Sequence, residues 1–258
     1  MSKHSKAVLA AAAACVLAAW SGSAFAGVVS VSTPSGLTNN GQVDWGVLGA
    51  YSPGGATYVA NPSSISSVTA SGVGISVSQT ATTSDARFVR IDESDQANGI
   101  AGWGGNFAPR EKLLWTNYNA GVMTIVFSSL VRGVGAKIQQ DGLGAFDGTI
   151  QAFDVNGNSL GVFTRTDGNP TTHDNHLADD TAIFLGLLSD TANIKSVTFR
   201  TNLHATETAT GFAISGPIIQ TATPPISTVP LPPAVAMGAG LLGAMALARL
   251  RRRRQSPG

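Results

Sequence analysis

Between residues 27 and 220 the apolar side chains never settle into the three-to-four spacing of a helical face. They alternate with polar ones or gather in short runs closed by Gly, Asn, Asp or Pro. A chain patterned this way buries its apolar atoms as short strands. The strand candidates are Val28–Ser32, Gly74–Ser78, Arg87–Ile91, Val122–Ser128, Gly133–Gln139, Thr149–Asp154, Ser159–Thr164, Thr181–Leu188, Ile194–Arg200 and Gly211–Ile214. Charged residues make up 12% against 43% hydrophobic, which excludes a disordered chain. The clearest turn signal is Asn156-Gly157, between Thr149–Asp154 and Ser159–Thr164, because Asn-Gly accepts the left-handed dihedrals of a tight hairpin. A second pairing is expected from Ile183–Leu188 to Val197–Phe199, through Ser189-Asp190-Thr191-Ala192-Asn193. Many short strands at regular turn spacing predict an all-β fold, an antiparallel β-sandwich or jelly roll, as one domain over 27–220. A Pro/Thr linker over 221–230 comes after it.

The first 26 residues carry the three zones of a secretory signal peptide. Lys3 and Lys6 open it, Ala7 to Trp20 is apolar, and Ser23-Ala24-Phe25-Ala26 supplies small residues at the cleavage positions, Ala24 and Ala26. The apolar run is short for a membrane span of about 20 residues. A lipid-bearing role for Cys15 would want a Leu-like residue where Ala12 stands. At the other end, Val229-Pro230-Leu231-Pro232-Pro233 leads into an uncharged run to Ala248, then Arg249 and the cluster Arg251, Arg252, Arg253, Arg254. As a helix, Pro232 to Ala248 reaches about 25 Å at 1.5 Å per residue, marginal for a hydrocarbon core of about 30 Å. The arginines are a cytoplasmic stop that leaves the body outside.

This arrangement over 231–258, with its motif Val229, Pro230, Leu231, Pro232, resembles the PEP-CTERM class of sorting signals in its Val-Pro-Leu-Pro variant. The resemblance implies passage through the secretion machinery and then processing by an exosortase-like membrane protease. Leu231 stands where the commoner form has Glu, which leaves the identity of the processing enzyme open. A plain C-terminal anchor that is never cut is the alternative. Within the body, Val131 to Gly216 looks like a β-sandwich module found in PEP-CTERM proteins. The residues that carry this are Gly133-Val134-Gly135-Ala136-Lys137-Ile138-Gln139, Ala152-Phe153-Asp154 with Gly157-Asn158-Ser159-Leu160-Gly161, and Ala182-Ile183-Phe184-Leu185-Gly186. Gly102-Trp103-Gly104-Gly105-Asn106-Phe107-Ala108-Pro109 with Leu113-Leu114-Trp115 is similar to the same type. The resemblance implies a fold and an export route, not an activity.

The net charge of +1 hides an uneven distribution. Setting aside Lys3, Lys6 and the five tail arginines leaves nine of the sixteen basic residues against all fifteen acidic ones, so the body carries −6. Such a body is a poor match for a phosphate backbone, and nucleic acid is not an expected partner. Cys15 is the single cysteine, so the mature chain would hold no disulfide and no thiolate metal site.

Candidate chemistry is sparse. Asp154-Val155-Asn156-Gly157-Asn158 opens like a calcium loop, but Ser159 and Arg165 stand where Gly and Glu are needed, and the hairpin turn accounts for it. The polar stretch Asp167 to Asp180 contains His173, Asp174, His176, Asp179 and Asp180 and is either a Ca²⁺ site on Asp174, Asp179 and Asp180 or a solvated loop. Asp92-Glu93-Ser94-Asp95 supplies acids in one loop rather than a pair facing across a bond, and no serine sits in a nucleophile elbow. Trp45, Trp103, Trp115, Tyr51, Tyr58 and Tyr118 are candidates for a flat sugar-binding platform or for core packing, and of these Trp103, flanked by Gly102, Gly104 and Gly105, is the one expected on an exposed flexible loop. His204 is expected to be an isolated surface residue.

Three functions are compatible with this. The first is a non-catalytic structural or interaction protein of the cell envelope or extracellular matrix, associated with exopolysaccharide. The second is a carbohydrate-binding module using Trp103 with calcium support, and the third a polysaccharide hydrolase. Intact mass of the protein recovered from culture should show an N-terminus at Gly27 and loss of the tail near Pro230–Pro233. A recovered chain that still ends in Arg254-Gln255-Ser256-Pro257-Gly258 rejects processing and leaves the plain anchor.

Overall fold

A computed structural model describes residues 27–49, 57–58, 64–68, 72–84, 86–142, 144–168, 182–204 and 211–221, all within one compact unit. Both chain ends lie outside these residues: the signal positions Ala24 and Ala26, and the tail with Val229, Pro230, Leu231, Pro232, Arg249, Arg251, Arg252, Arg253 and Arg254. So do Asp174, Asp179 and Asp180. No helix among the described residues is long and apolar enough to cross a membrane.

The two-residue alternation of the sequence becomes an inward and an outward face. In the strand Met123–Val131, for example, Met123, Ile125 and Phe127 are buried while Val126 and Ser128 face outward. Among the described residues there are fifteen strands: β1 (Val28–Val31), β2 (Gly41–Gln42), β3 (Thr57–Tyr58), β4 (Ser64–Val68), β5 (Gly74–Gln79), β6 (Val89–Asp92), β7 (Lys112–Trp115), β8 (Met123–Val131), β9 (Gly133–Gln140), β10 (Phe146–Phe153), β11 (Ser159–Gly168), β12 (Ile183–Ser189), β13 (Ile194–Leu203), β14 (Phe212–Ser215) and β15 (Ile218–Gln220). They form two antiparallel sheets. The larger runs β1-β12-β9-β14-β7-β6-β3, with β15 continuing beside β9 and pairing β2; the smaller runs β11-β10-β13-β8-β5-β4. Ile125, Phe127, Phe146 and Phe199 meet Leu114, Ile138, Leu185 and Phe212 in the core between them.

The Asp154–Asn158 hairpin forms as read, with one difference. Only Gly157 takes the left-handed conformation, at φ 80°, and Asn156 does not. Asp154 supplies the rest of the turn: its carboxylate accepts from Asn156 N and Asn158 N, each at 2.8 Å. The second expected pairing is overturned. β12 pairs β1 and β9 in the larger sheet, β13 pairs β10 and β8 in the smaller one, and Asp190–Asn193 crosses between sheets. Nearly every residue of β12 is buried, so it needs strands on both sides and cover on both faces. A partner eight residues along the chain offers only one of these.

The expected strand Gly211–Ile214 forms as β14. Of the strands without a sequence candidate, β7 is buried at three of its four positions and shows no alternation, and β2, β3 and β15 have two or three residues. In β7, β14 and β6 one set of side chains (Leu114, Phe212, Ile214, with Phe88 just before β6) enters the main core. The opposite set (Val89, Leu113, Trp115, Ala213) joins Trp103 and Phe107 in a separate cluster on the outer face of the larger sheet. That outer face is covered by the segment 93–111.

The pairings also order the two ends of this sheet. Val29, Leu188, Gly133 and Gln220 stand side by side on β1, β12, β9 and β15. The body is therefore entered and left at one end. Gln140, at the far end of β9, is about 23 Å away at ~3.3 Å per residue.

Truncating Phe199, which is fully buried, should lower the unfolding free energy by about 3–5 kcal/mol in urea titrations, whereas Val162→Ala, at 61% exposure, should change it by less than about 0.5 kcal/mol. Equal effects would contradict the inward and outward assignment of this sheet.

Candidate functional site

Segment 93–111 is built around a buried carboxyl. Glu93 is fully buried, and its Oε1 accepts from Gly105 N at 3.1 Å and from the Ser94 hydroxyl at 3.4 Å. Backbone bonds close the segment on itself: Trp103 N donates to Asp92 O (2.7 Å) and Ser94 N to Trp103 O (3.0 Å). The approach is close enough to require glycine. A Cβ on Gly102 would lie 2.3 Å from Asp92 O, and one on Gly105 would lie 2.0 Å from Gln139 Oε1. These contacts are the physical reason for the Gly-Trp-Gly-Gly run. Asn106 Oδ1, accepting from Ala182 N at 2.8 Å, ties the segment to the start of β12.

Trp103 is therefore not on an exposed loop. It is 8% exposed, its Nε1 donates to Gln139 Oε1 at 3.1 Å, and Gln139 Nε2 returns a bond to Gly104 O at 3.2 Å. Flanking glycines suggested freedom; here they permit close packing instead.

Beside Trp103 opens a cleft of about 400 Å³, lined chiefly by Trp103, Trp115, Tyr118, Gln139, Gln140 and Asp141. The three aromatics form a chain. Trp103 and Trp115 lie 5.9 Å apart and tilted by 57°, and Trp115 meets Tyr118 edge-on at 4.6 Å. Tyr118 is 60% exposed and sits with Asn117 in a turn where both residues take positive φ, 59° and 52°. Left-handed conformations at non-glycine residues cost of order 1 kcal/mol or more each and persist where the surroundings over-determine them. Here Asn119 does so. Its amide donates to Gln79 Oε1 and Thr80 O, both at 2.9 Å, and its Oδ1 accepts from Thr82 N at 2.7 Å. Thr116 Oγ1 holds the other side by accepting from Phe212 N at 2.9 Å.

The cleft floor is polar and incompletely satisfied. Gln140 Oε1 and Nε2 are buried without a hydrogen-bond partner, where buried polar groups ordinarily have one, and the buried Asp141 carboxyl has the Trp115 indole N–H as its neighbour. Burial pushes the Asp141 carboxyl up to about 6, with the nearby Trp115 indole pulling the other way. Burial likewise raises Glu93 to about 7; the Gly105 N–H and Ser94 oppose this and the charge of Glu111 adds to it.

Other sequence candidates are dispersed. Asp92 joins Arg90 and Lys112 in an ion-paired row, Asp95 accepts from Asn98 Nδ2 at 2.8 Å, and Trp45 is in the core. Asp154 belongs to its turn, where hydrogen bonds from Asn158 and Asn156 hold its carboxyl below the usual range. His204 is exposed but not isolated, since Nε2 meets Asp147 Oδ1 at 2.7 Å. No group of three or more His, Cys, Asp or Glu among the described residues is arranged to hold a metal ion. Tyr118 and Trp115 are among the aromatics the sequence offers for a sugar-binding platform, whereas Gln139, Gln140 and Asp141 are not site candidates in the sequence. The available signal was two amides and an acid running straight on from the apolar strand β9.

No protein-family model and no curated protein matches the chain. Solved structures that match include a DUF4465 family protein from Bacteroides caccae, 15% identical over 75% of this chain and 99% of that one, with a TM-score of 0.38. A second is CsCBM6-3 from Clostridium stercorarium in complex with cellobiose, 13% identical over 46% and 88% of the two chains, with a TM-score of 0.25. A third is a glycoside hydrolase family 43 arabinoxylan arabinofuranohydrolase from Bacillus subtilis in complex with cellotetraose, 9% identical over 69% and 43%, with a TM-score of 0.29. Similarity at this level assigns neither ligand nor activity to this chain.

Because the folded state raises the Glu93 pKa from 4.5 to about 7, it holds a proton that the unfolded chain releases. The resulting stability is complete below 4.5 and is lost as pH rises through about 7. Asp141 acts in the same direction, but below about 6. Urea midpoints should therefore fall between about pH 4.5 and 7 and level off above that, and Glu93→Gln should flatten that fall. An undiminished slope in Glu93→Gln would remove Glu93 as its source.

Proposed function

We propose that this chain is an exported, surface-held, non-catalytic protein that binds carbohydrate through the Trp103–Trp115–Tyr118 cleft, as part of a cell envelope or exopolysaccharide layer. The observation that carries it is the chain of three aromatic rings ending in an exposed, conformationally strained Tyr118 beside the unpartnered amide of Gln140 and the carboxyl of Asp141. An aromatic face covers the apolar face of a sugar ring, while amides and carboxylates take its hydroxyls, which both donate and accept. Binding rather than cleavage is favoured because, among the described residues, Asp141 is the single carboxyl in the lining, whereas glycoside hydrolysis ordinarily needs two flanking the bond. Glu93 is sealed beneath segment 93–111.

Export and retention at the surface rest on the signal peptide and on the tail's resemblance to PEP-CTERM signals.

In affinity electrophoresis through gels containing soluble polysaccharides, the full-length chain should be retarded by at least one of them. Tyr118→Ala should weaken this about five- to tenfold, the ~1–1.5 kcal/mol that an aromatic contact contributes, and Val162→Ala should not. Retardation unaffected by Tyr118→Ala would place any sugar binding elsewhere.

A further inference from the structure

The lining of the cleft is selective in charge. It contains three aromatic rings, two amides and the carboxyl of Asp141, and no Lys, Arg or His. The nearest basic residue along β9, Lys137, lies two residues short of Gln139 and is not part of the lining. A carboxylate sharing a cleft with aromatic rings, without a basic neighbour in the lining, attracts a cation through a charge-assisted hydrogen bond, to which a ring can add a cation–π contribution. The same carboxylate repels an anionic sugar. The long-range field agrees, because a body carrying nine basic and fifteen acidic residues draws in cationic polymers and repels anionic ones.

Hydrogen-bonding capacity points the same way. Gln140 Oε1 is an acceptor without a donor and Gln140 Nε2 a donor without an acceptor, while the Asp141 carboxylate, whose neighbour is the Trp115 indole N–H, has further acceptor sites to offer. A primary ammonium answers the acceptors, and the hydroxyls of the same ring answer the donor. An N-acetylated amine brings one N–H and no charge, and a uronate brings more acceptors to a site already holding an anion.

We infer that the cleft recognises glycans bearing free primary amines, with Asp141 meeting the ammonium and Tyr118 and Trp115 flanking it. This rests on the carbohydrate-binding reading and names its ligand class. The test is titration of the full-length chain with four matched oligosaccharide hexamers: β-1,4-linked glucosamine, its N-acetylated counterpart, cellohexaose and a uronate hexamer. The glucosamine hexamer should bind at least tenfold more tightly than the other three, less so as salt is raised. Asp141→Asn, which keeps the shape of the side chain, should abolish that preference, bringing the glucosamine hexamer down to the affinity of cellohexaose for the same variant. Equal or tighter binding of the N-acetylated or neutral hexamer overturns the amine assignment and leaves the carbohydrate reading standing. Binding of none of the four, together with no retardation by any polysaccharide gel, removes both. If Asp141→Asn does not fold, the order of affinities among the four ligands for the unmodified chain still decides, and Tyr118→Ala locates the binding.

Discussion

Three adjacent strands of the larger sheet, β6, β7 and β14, present apolar side chains on both faces, and the rest of the structure is arranged around this double burial. One face meets the smaller sheet. The other, carrying Val89, Leu113, Trp115 and Ala213, would lie open to water without a cover. Burying a large apolar side chain contributes about 1.5–3 kcal/mol, so an uncovered face of this size would be a substantial loss. Segment 93–111 supplies the cover with Trp103 and Phe107, and it does so without regular secondary structure beyond one 3₁₀ turn at Gln96–Asn98. Its backbone polar groups must then be satisfied individually. Glu93, Gln139 and Asn106 are the side chains that do this, which is why a carboxyl is buried at a place where its charge is disfavoured.

The cleft arises where that cover stops. Trp103 reaches Trp115 but not the end of β9, so Gln140 and Asp141 are left at the margin of the covered face, beside the turn that carries Tyr118. A rigid setting surrounds it. The Thr116–Asn119 turn is held from three directions by Thr80, Thr82 and Phe212, and the cost of two left-handed residues is met by those bonds. Strain retained next to an exposed aromatic and unsatisfied polar atoms is characteristic of surfaces shaped for a ligand rather than for stability.

Much of the architecture was legible because a two-residue period is a local property. β5, β8, β10, β11 and β13 each bury one face, so their alternation appears directly in the sequence, and Asn156-Gly157 marks a hairpin whose arms are neighbours in the chain. β7 and β15 gave no such signal, since a four-residue strand buried nearly throughout, or one only three residues long, has too short a period to read. The partner of β12 was misread for a related reason. Proximity in sequence favours β13, but burial of nearly all of β12 demands two neighbours, and β1 and β9 come from distant parts of the chain.

The site was less legible than the fold. Trp103 was rightly drawn out by its glycines, yet those glycines serve close approach to Asp92 and Gln139, which no sequence pattern distinguishes from looseness. Tyr118, Gln140 and Asp141 come from two separate loops and share a cleft only because β7, β14 and β9 are hydrogen-bonded side by side. Linear order therefore decided strand content, the acidity of the body and the export and sorting signals expected at its ends, since each depends on residues close together in the chain. Which faces are covered, which carboxyls are buried and which aromatic remains exposed were decided by the folded arrangement, because burial is a property of neighbours in space.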